Sequence, residues 1–130
     1  MGANDVATET VSRFADAWNR HDMDEFGLLF HDDATFVNVI GFRMSGRDEI
    51  REHHARIHET HYRDSQILVE LDDARQLAPL VIGAGMRCEL SGDERTPGEL
   101  RRSLITLVID RRGDEWGIAA AQNTLVMPPR

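Results

Sequence analysis

The chain has 130 residues and a formal net charge of -8, with 41% hydrophobic and 29% charged residues. This length predicts a single domain over residues 1–130, and the composition excludes disordered, collagen-like and coiled-coil chains. No apolar stretch approaches the roughly 18 to 20 residues of a membrane helix, and no basic segment followed by an apolar one opens the chain. We therefore expect a cytoplasmic protein with no membrane partner.

The charge and the missing motifs exclude several function classes. An acidic chain is a poor partner for nucleic acid, which attracts basic patches. All 15 basic residues are arginine, which excludes Schiff-base chemistry and a phosphate-loop lysine. The chain also lacks a glycine-rich phosphate loop, a Cys-x-x-Cys pair and a Gly-x-Ser-x-Gly elbow, so we expect no cofactor. The single cysteine, Cys88, lies in an apolar run that favours a buried thiol over a reactive one.

Hydrophobic periodicity predicts three helices in the first half of the chain. Apolar side chains that recur at helical spacing mark the first and third helices. Asp22 and Glu25 form a capping-box pattern, which begins a short second helix with Phe26, Leu29 and Phe30 on its apolar face. The predicted first and third helices span residues 4–20 and 47–60.

The pattern of the second half of the chain predicts consecutive strands. With a short hairpin that precedes the third helix, the predicted strands cover residues 35–40, 42–44, 66–71 with an extension to 74, 80–90, 100–110 and 116–126. The polar stretch from Ser91 to Glu99 contains Pro97 and predicts an exposed, mobile hairpin loop. This order of elements predicts an α+β fold with helices packed on one face of a mostly antiparallel sheet.

Three stretches of the chain resemble a known superfamily. They are residues 13–41 (RFADAWNRHDMDEFGLLFHDDATFVNVIG), 46–54 (GRDEIREHH) and 115–126 (EWGIAAAQNTLV). They are similar to the ketosteroid-isomerase-like and SnoaL-like proteins, and within these to the SgcJ/EcaC group, part of which is associated with enediyne and polyketide biosynthesis. The resemblance implies a cone-shaped domain with three N-terminal helices on a curved sheet. It also implies an enclosed pocket for an apolar small molecule and a homodimer through the sheet face.

The resemblance places the catalytic positions of the isomerases on residues that cannot do the same chemistry. The oxyanion-stabilising tyrosine falls on Phe14, which has no hydroxyl, and the general-base aspartate falls on Asn38, whose amide does not accept a proton near neutral pH. The second oxyanion donor falls near Ile105. We therefore do not expect classical ketosteroid isomerase activity, and Phe14 and Asn38 become candidate substrate-binding residues.

The third predicted helix carries the best candidate for acid–base catalysis. His54 lies on the helix face of Ile50 and Ile57, which is predicted to face the core, and imidazole titrates close to neutrality. The alternative is a structural histidine that bonds a backbone group or Asn38. His54, His58 and His61 share one side of the helix, but seven residues span about 10.5 Å along the axis. A solvated, histidine-rich helix is therefore favoured over a metal site.

Further polar and aromatic residues are candidates for substrate binding. Asn38 is predicted to share the inner face of its strand with Phe36 and Ile40, where it would bind a ligand carbonyl or hydroxyl, or else a neighbouring side chain. Trp18, on the first helix, is either a core residue or a wall of the pocket.

The last strand supplies two more candidates. Gln122 and Thr124 follow the alternation of Trp116 and Ile118, which predicts that both lie at the pocket lip, whereas Asn123 points to the other face. Four arginines are potential cations for an anionic substrate, although most arginines on an acidic surface pair with carboxylates. These are Arg43, Arg47, Arg87 and Arg102.

Together these features predict a small-molecule-binding protein of secondary-metabolite biosynthesis. An isomerase, cyclase or dehydratase would use His54 to move a proton while Asn38 and Gln122 orient the substrate. The alternatives are a non-catalytic carrier of an apolar ligand and a homodimeric interaction domain.

Overall fold

The computed structural model describes residues 2–127. Within these residues the chain forms three helices and six strands. The helices are α1 (Ala3–Asn19), α2 (Met23–Gly27) and α3 (Arg47–Glu59). The strands are β1 (Phe30–Val37), β2 (Arg43–Ser45), β3 (Gln66–Ala78), β4 (Val81–Ser91), β5 (Arg101–Arg112) and β6 (Glu115–Leu125).

The strands form one mixed, curled sheet in the order β2-β1-β6-β5-β4-β3. Every neighbouring pair is antiparallel except β1 and β6, which run parallel. The helices cover one face of this sheet, so the predicted α+β fold with a mostly antiparallel sheet is confirmed. No helix in the described part of the chain is long and apolar enough to cross a membrane.

The core lies between the helices and the inner face of the sheet, which we define as the face that the helices cover. Along β4 the buried residues alternate with less buried ones, so one side of the strand carries the core. On α1, Val11, Phe14 and Trp18 are buried at the spacing that the sequence predicted. Burial of a side chain of this size contributes roughly 1.5 to 3 kcal/mol, so this stripe holds α1 against the sheet.

The end of α1 is fixed to the first residues of β3. Asn19 Nδ2 donates to the carbonyl oxygen of Ile67 over 2.9 Å, and Asn19 Oδ1 accepts from the Ile67 backbone N–H over 2.7 Å. Because β3 is an edge strand, these backbone groups have no neighbouring strand on that side. One side-chain amide therefore replaces a missing strand and fixes the distance between α1 and the sheet.

The structure corrects the start of β1. The sequence placed Leu29 and Phe30 in the second helix, but α2 ends at Gly27 and β1 begins at Phe30. The reason is long-range pairing, because the Ile118 backbone N–H donates to the Leu29 carbonyl oxygen over 2.8 Å. A partner almost ninety positions away along the chain leaves no trace in the local pattern.

The third strand is also longer than predicted. It continues to Ala78, whereas the sequence indicated an end between Leu71 and Ala74. Its second half is polar and largely exposed, so it lacks the apolar alternation of a strand. The backbone ladder with β4 nevertheless continues to the pair of Ala78 and Val81 and satisfies the main-chain groups there.

A bulge in β6 decides which of its side chains face the helices. Val108 of β5 pairs with Ala120, and Ile109 pairs with Ile118, so Ala119 is an extra residue. One inserted residue moves every later side chain to the opposite face of the sheet. Ile118 is buried before the bulge, and Ala121 is buried after it.

The amide of Asn19 provides a test of the junction between α1 and β3. Asn19→Ala removes two hydrogen bonds and leaves two backbone groups of Ile67 without their partner, so we expect a loss of about 2 to 3 kcal/mol in the free energy of unfolding. Urea denaturation measures it. Asn4→Ala, at an exposed position of α1, is the control and should cost less than about 0.5 kcal/mol. Equal stabilities for the two variants would contradict the assigned role of Asn19.

Candidate functional site

A pocket of about 410 Å³ lies between the helices and the inner face of the sheet. Its walls are mainly aromatic and aliphatic, and α1, β1, α3 and the strands from β3 to β6 all contribute to them. The principal apolar wall residues are Phe14, Trp18, Phe36, Ile57, Ile67 and Ile105. An apolar cavity of this size with a few polar groups is the usual form of a small-molecule site.

Trp18 is both a core residue and a pocket wall. It is buried, and its Nε1–H donates to Ser65 Oγ over 3.1 Å. The Ser65 hydroxyl in turn donates to the carbonyl oxygen of Tyr62 over 2.8 Å. This chain of hydrogen bonds satisfies the only polar atom of the indole and fixes the orientation of the ring.

His54 presents one oriented ring nitrogen to the pocket. Its Nδ1–H donates to the carbonyl oxygen of Ile50 over 2.7 Å, so Nε2 is the nitrogen available to the pocket as an acceptor. The imidazole is 4% exposed and packs against the rings of Phe26 and Phe36. Burial lowers its pKa to about 4. At neutral pH it is an uncharged hydrogen-bond acceptor and a weak base.

Asn38 lies at the pocket, but outside β1. Its Oδ1 accepts from the backbone N–H groups of Ile40 over 3.1 Å and Phe42 over 2.9 Å, which makes it the organiser of the turn between β1 and β2. Asn38 and Ile40 lie beyond the end of β1 at Val37, so the prediction that they share a strand face is wrong, although both line the pocket and Ile40 is 85% exposed. The side-chain oxygen of Asn38 is therefore hydrogen-bonded to the turn backbone. Its Nδ2 takes no part in these two hydrogen bonds.

The bulge in β6 reverses the predicted order of the last strand. Gln122 and Thr124 are exposed and do not line the pocket, so their predicted position at the pocket lip is wrong. Asn123 and Leu125 line it instead. Asn123 Oδ1 is buried and has no hydrogen-bond partner within the described residues. It is a polar group that a ligand hydroxyl or N–H would satisfy.

The histidines of α3 do not converge. His58 Nδ1 lies 2.7 Å from His21 Nδ1, and its ring packs against Trp18 without lining the pocket. His61 lines the pocket beside Tyr62. Burial, and then the neighbouring His21, lower the pKa of His58 to about 3. Residues 2–127 contain no group of three potential ligands placed to hold a metal ion.

The pocket contains two arginines that the sequence interpretation missed. The four suggested cations lie elsewhere: Arg87 and Arg102 pair with Asp72 and Glu89, Arg47 bonds the Phe30 carbonyl oxygen, and Arg43 is exposed. Arg95 and Arg101 line the pocket instead. The only local signal is that Arg95 follows Asp93 by two residues in a polar loop, a pattern that is common on protein surfaces.

The loop that carries Arg95 is anchored rather than merely exposed. Asp93 is 4% exposed, and its carboxylate accepts hydrogen bonds from the guanidinium groups of Arg95 and Arg101. Gly92 lets the loop begin there. Its φ is +81°, and a Cβ atom would lie 2.4 Å from the Asp64 carbonyl oxygen. The prediction of a wholly exposed loop is therefore wrong at Asp93.

Cys88 lies on β4 and lines the pocket, where it is buried. Burial raises the pKa of its thiol to about 11, so the thiol stays protonated at neutral pH. The structure agrees with the interpretation of Cys88 as an unreactive buried residue.

The sheet is open and curled, and an apolar pocket lies between it and the helices. This architecture is the ketosteroid-isomerase-like fold, which is also described as cystatin-like. The family model of the SnoaL-like domain matches residues 11–83, which is more than half of the chain. The chain belongs to the SnoaL-like domain family. A comparison with curated protein sequences finds no match.

Solved structures show the same fold over nearly the whole chain. An uncharacterised protein with a cystatin-like fold from Caulobacter vibrioides is 25% identical, with a TM-score of 0.87 over 97% of this chain and 91% of that one. A ketosteroid isomerase-like protein from Erwinia carotovora is 16% identical, with a TM-score of 0.80 over 95% of both chains. A proposed scytalone dehydratase from Novosphingobium aromaticivorans is 12% identical, with a TM-score of 0.81 over 95% of this chain and 85% of that one. Family and fold support a ligand-binding or isomerase-type protein.

The two buried histidines predict a loss of stability in mild acid. Their pKa values are lowered in the folded state, from 6.5 to about 4 for His54 and about 3 for His58, so the unfolded chain binds more protons below pH 6.5. The free energy of unfolding should therefore fall between pH 6.5 and 5, by roughly 1.4 kcal/mol per pH unit for each histidine. Urea denaturation at a series of pH values measures the slope.

Two variants identify the source of this slope. His54→Gln should reduce the slope by the share of one histidine, because one titrating group is lost. Ile57→Val changes the same pocket wall without a change in titratable groups, and it should keep the slope of the original chain. An unchanged slope in His54→Gln would contradict the inferred neutral, buried state of His54.

Proposed function

We propose that this protein binds an apolar small molecule in its pocket and acts in secondary-metabolite biosynthesis of the polyketide or enediyne type, as a member of the SgcJ/EcaC group located in the cytoplasm. One observation carries the binding function, namely the pocket of about 410 Å³ with aromatic and aliphatic walls. Three of its polar groups, His54 Nε2, Asn123 Oδ1 and Asn38 Nδ2, remain outside the hydrogen bonds of the fold. The resemblance of residues 13–41 and 115–126 supports the biosynthetic role.

Within this proposal the ligand packs against Trp18 and Phe14, and its oxygen atoms contact the polar groups. Burial of apolar ligand surface contributes roughly 25 cal/mol for each Å² removed from water. A hydroxyl or N–H of the ligand donates to His54 Nε2 or to Asn123 Oδ1, and this contact fixes the ligand's orientation. Trp18, held by Ser65, supplies a preformed wall, which reduces the entropy lost on binding.

Acid–base catalysis by His54 is the second candidate function. It is favoured by the hydrogen bond from Nδ1 to the Ile50 carbonyl oxygen, which orients Nε2 toward the pocket. It is opposed by the pKa of about 4, because a base this weak accepts a proton poorly at neutral pH. No carboxylate lines the pocket within the described residues to assist it. Binding without turnover is therefore the function that the geometry supports best.

A neutral apolar dye tests the binding function. 1-Aminoanthracene should bind with a stoichiometry of one dye per chain, detected as a rise in its fluorescence. Leu125→Trp places a large ring in the pocket at its outer end and should weaken binding at least about tenfold, which corresponds to 1.4 kcal/mol. Val126→Trp adds the same ring at the neighbouring position, which does not line the pocket, and should leave the affinity unchanged.

The variants also separate the candidate functions. Failure of the dye to bind, or equal affinities for both tryptophan variants, would contradict a ligand pocket at this place. If the protein converts a metabolite, and His54→Gln loses the conversion but keeps the binding, acid–base catalysis would replace binding without turnover as the favoured function.

We also propose that two copies of the chain associate through the outer face of the sheet, which is the face opposite the helices. Leu104 of β5 is 44% exposed on this face, opposite Thr124 on the neighbouring strand. Two pairs of nearby charges are formed within the chain, Arg102 with Glu89 and Arg87 with Asp72. These pairs reduce the repulsion between two identical faces that meet about a two-fold axis.

Sedimentation velocity tests this association. The original chain should sediment as a dimer, and Leu104→Arg should sediment as a monomer, because it places two like charges in the interface. Leu28→Arg, at an exposed leucine between α2 and β1, should remain dimeric. A monomeric original chain would refute the proposed dimer.

A further inference from the structure

The charge of the pocket differs in sign from that of the whole chain. The chain has 23 acidic residues against 15 arginines. Within the described residues, however, no aspartate or glutamate lines the pocket, whereas Arg95 and Arg101 do. The immediate surroundings of these two guanidinium groups determine how much charge they present to the pocket.

Both arginines share one buried carboxylate. Arg95 Nε lies 3.1 Å from Asp93 Oδ1, and Arg95 Nη2 lies 2.9 Å from Oδ2. Arg101 Nη1 reaches the same Oδ2 over 3.4 Å. These bonds lower the pKa of Asp93, so it is ionised at neutral pH. Two positive charges and one negative charge leave a net charge of +1 at this end of the pocket.

Neighbouring groups do not cancel this charge. Glu94 bonds Arg63 over 3.1 Å, so this pair is neutral. Burial, and then the charge of Arg95, lower the pKa of His61 below 6.5, so this histidine is uncharged at pH 7. Within the described residues, the remaining charge is that of the two guanidinium groups beside Asp93.

The guanidinium groups retain hydrogen-bond donors and are held in place. Arg95 Nη1 and Arg101 Nε take no part in the bonds to Asp93. The central carbons of both groups lie 5.6 and 5.5 Å from the centre of the Tyr62 ring, and Arg101 Nη2 also bonds the Tyr62 hydroxyl. The Tyr62 ring contacts Trp18, with ring centres 5.6 Å apart. Arg95 and Arg101 therefore lie directly beside the aromatic wall of the pocket, which Tyr62 links to Trp18.

We propose that Arg95 and Arg101 form an anion subsite, and that the ligand of this pocket is an apolar molecule that ends in a carboxylate. A single net positive charge balances a monoanion such as a carboxylate. Guanidinium groups donate charge-assisted hydrogen bonds to carboxylate oxygens, and the apolar wall receives the remainder of the molecule. The inference rests on the proposed ligand-binding function and specifies its ligand class.

Decanoate and decanol, which share a ten-carbon chain, test the subsite by isothermal titration calorimetry at pH 8. The original chain should bind decanoate at least about tenfold more tightly than decanol, because only the carboxylate accepts charge-assisted hydrogen bonds. Arg95→Gln lowers the net charge of the subsite to zero and should abolish this preference while decanol binding persists. Arg13→Gln removes an exposed arginine of α1 that forms no ion pair within the described residues and does not line the pocket, and it should keep the preference.

A change in the opposite direction strengthens the test. Asp93→Asn raises the net charge of the subsite to +2 and should increase the preference for decanoate. If this variant does not fold, the comparison of Arg95→Gln with Arg13→Gln is the deciding test. Equal affinities for decanoate and decanol, or a preference that survives Arg95→Gln, would overturn the anion subsite and leave the binding function intact. Binding of neither compound, together with no binding of 1-aminoanthracene, would refute the binding function itself.

Discussion

The pocket depends on the junction between the end of α1 and the beginning of β3. Asn19 bonds both backbone groups of Ile67, and Trp18 bonds Ser65 one step earlier on the helix. These contacts hold α1 at a fixed distance from an edge strand whose free side has no other strand. A helix that packed more closely would fill the space between the layers with its own side chains, because protein interiors tend to close packing.

Polarity in the pocket is distributed between two ends. His54 and Asn123 offer neutral acceptors among aromatic and aliphatic groups, whereas Arg95 and Arg101 offer donors beside the Tyr62 ring. Desolvation accounts for the neutral state of His54, since a charged imidazole surrounded by Phe26 and Trp18 would lose its hydration without a compensating carboxylate. The guanidinium groups keep their charge because one buried carboxylate pairs with both. The arrangement suits a ligand that is apolar along its length and charged at one end.

Local sequence patterns predicted much of this molecule. The apolar stripe of α1, the position of His54 on the inner face of α3 and the order of helices and strands follow from spacing alone, because they reflect which residues avoid water. The start of β1 at Phe30 and the extension of β3 to Ala78 did not follow. Both depend on backbone pairing with strands distant in the chain, and such pairing does not require an apolar pattern.

The sequence by itself determined the fold class, the family resemblance and the residues Phe14, Trp18 and His54 as members of an inner layer. Only the tertiary structure decided which polar groups meet the ligand. A single extra residue at Ala119 exchanged the faces of Gln122 and Asn123, and the turn backbone engaged the oxygen of Asn38. The anchoring of Asp93 brought Arg95 of the loop and Arg101 at the start of β5 together at the pocket. The physical reason is that side-chain direction in strands and loops depends on register and long-range contacts, whereas burial depends chiefly on residue type.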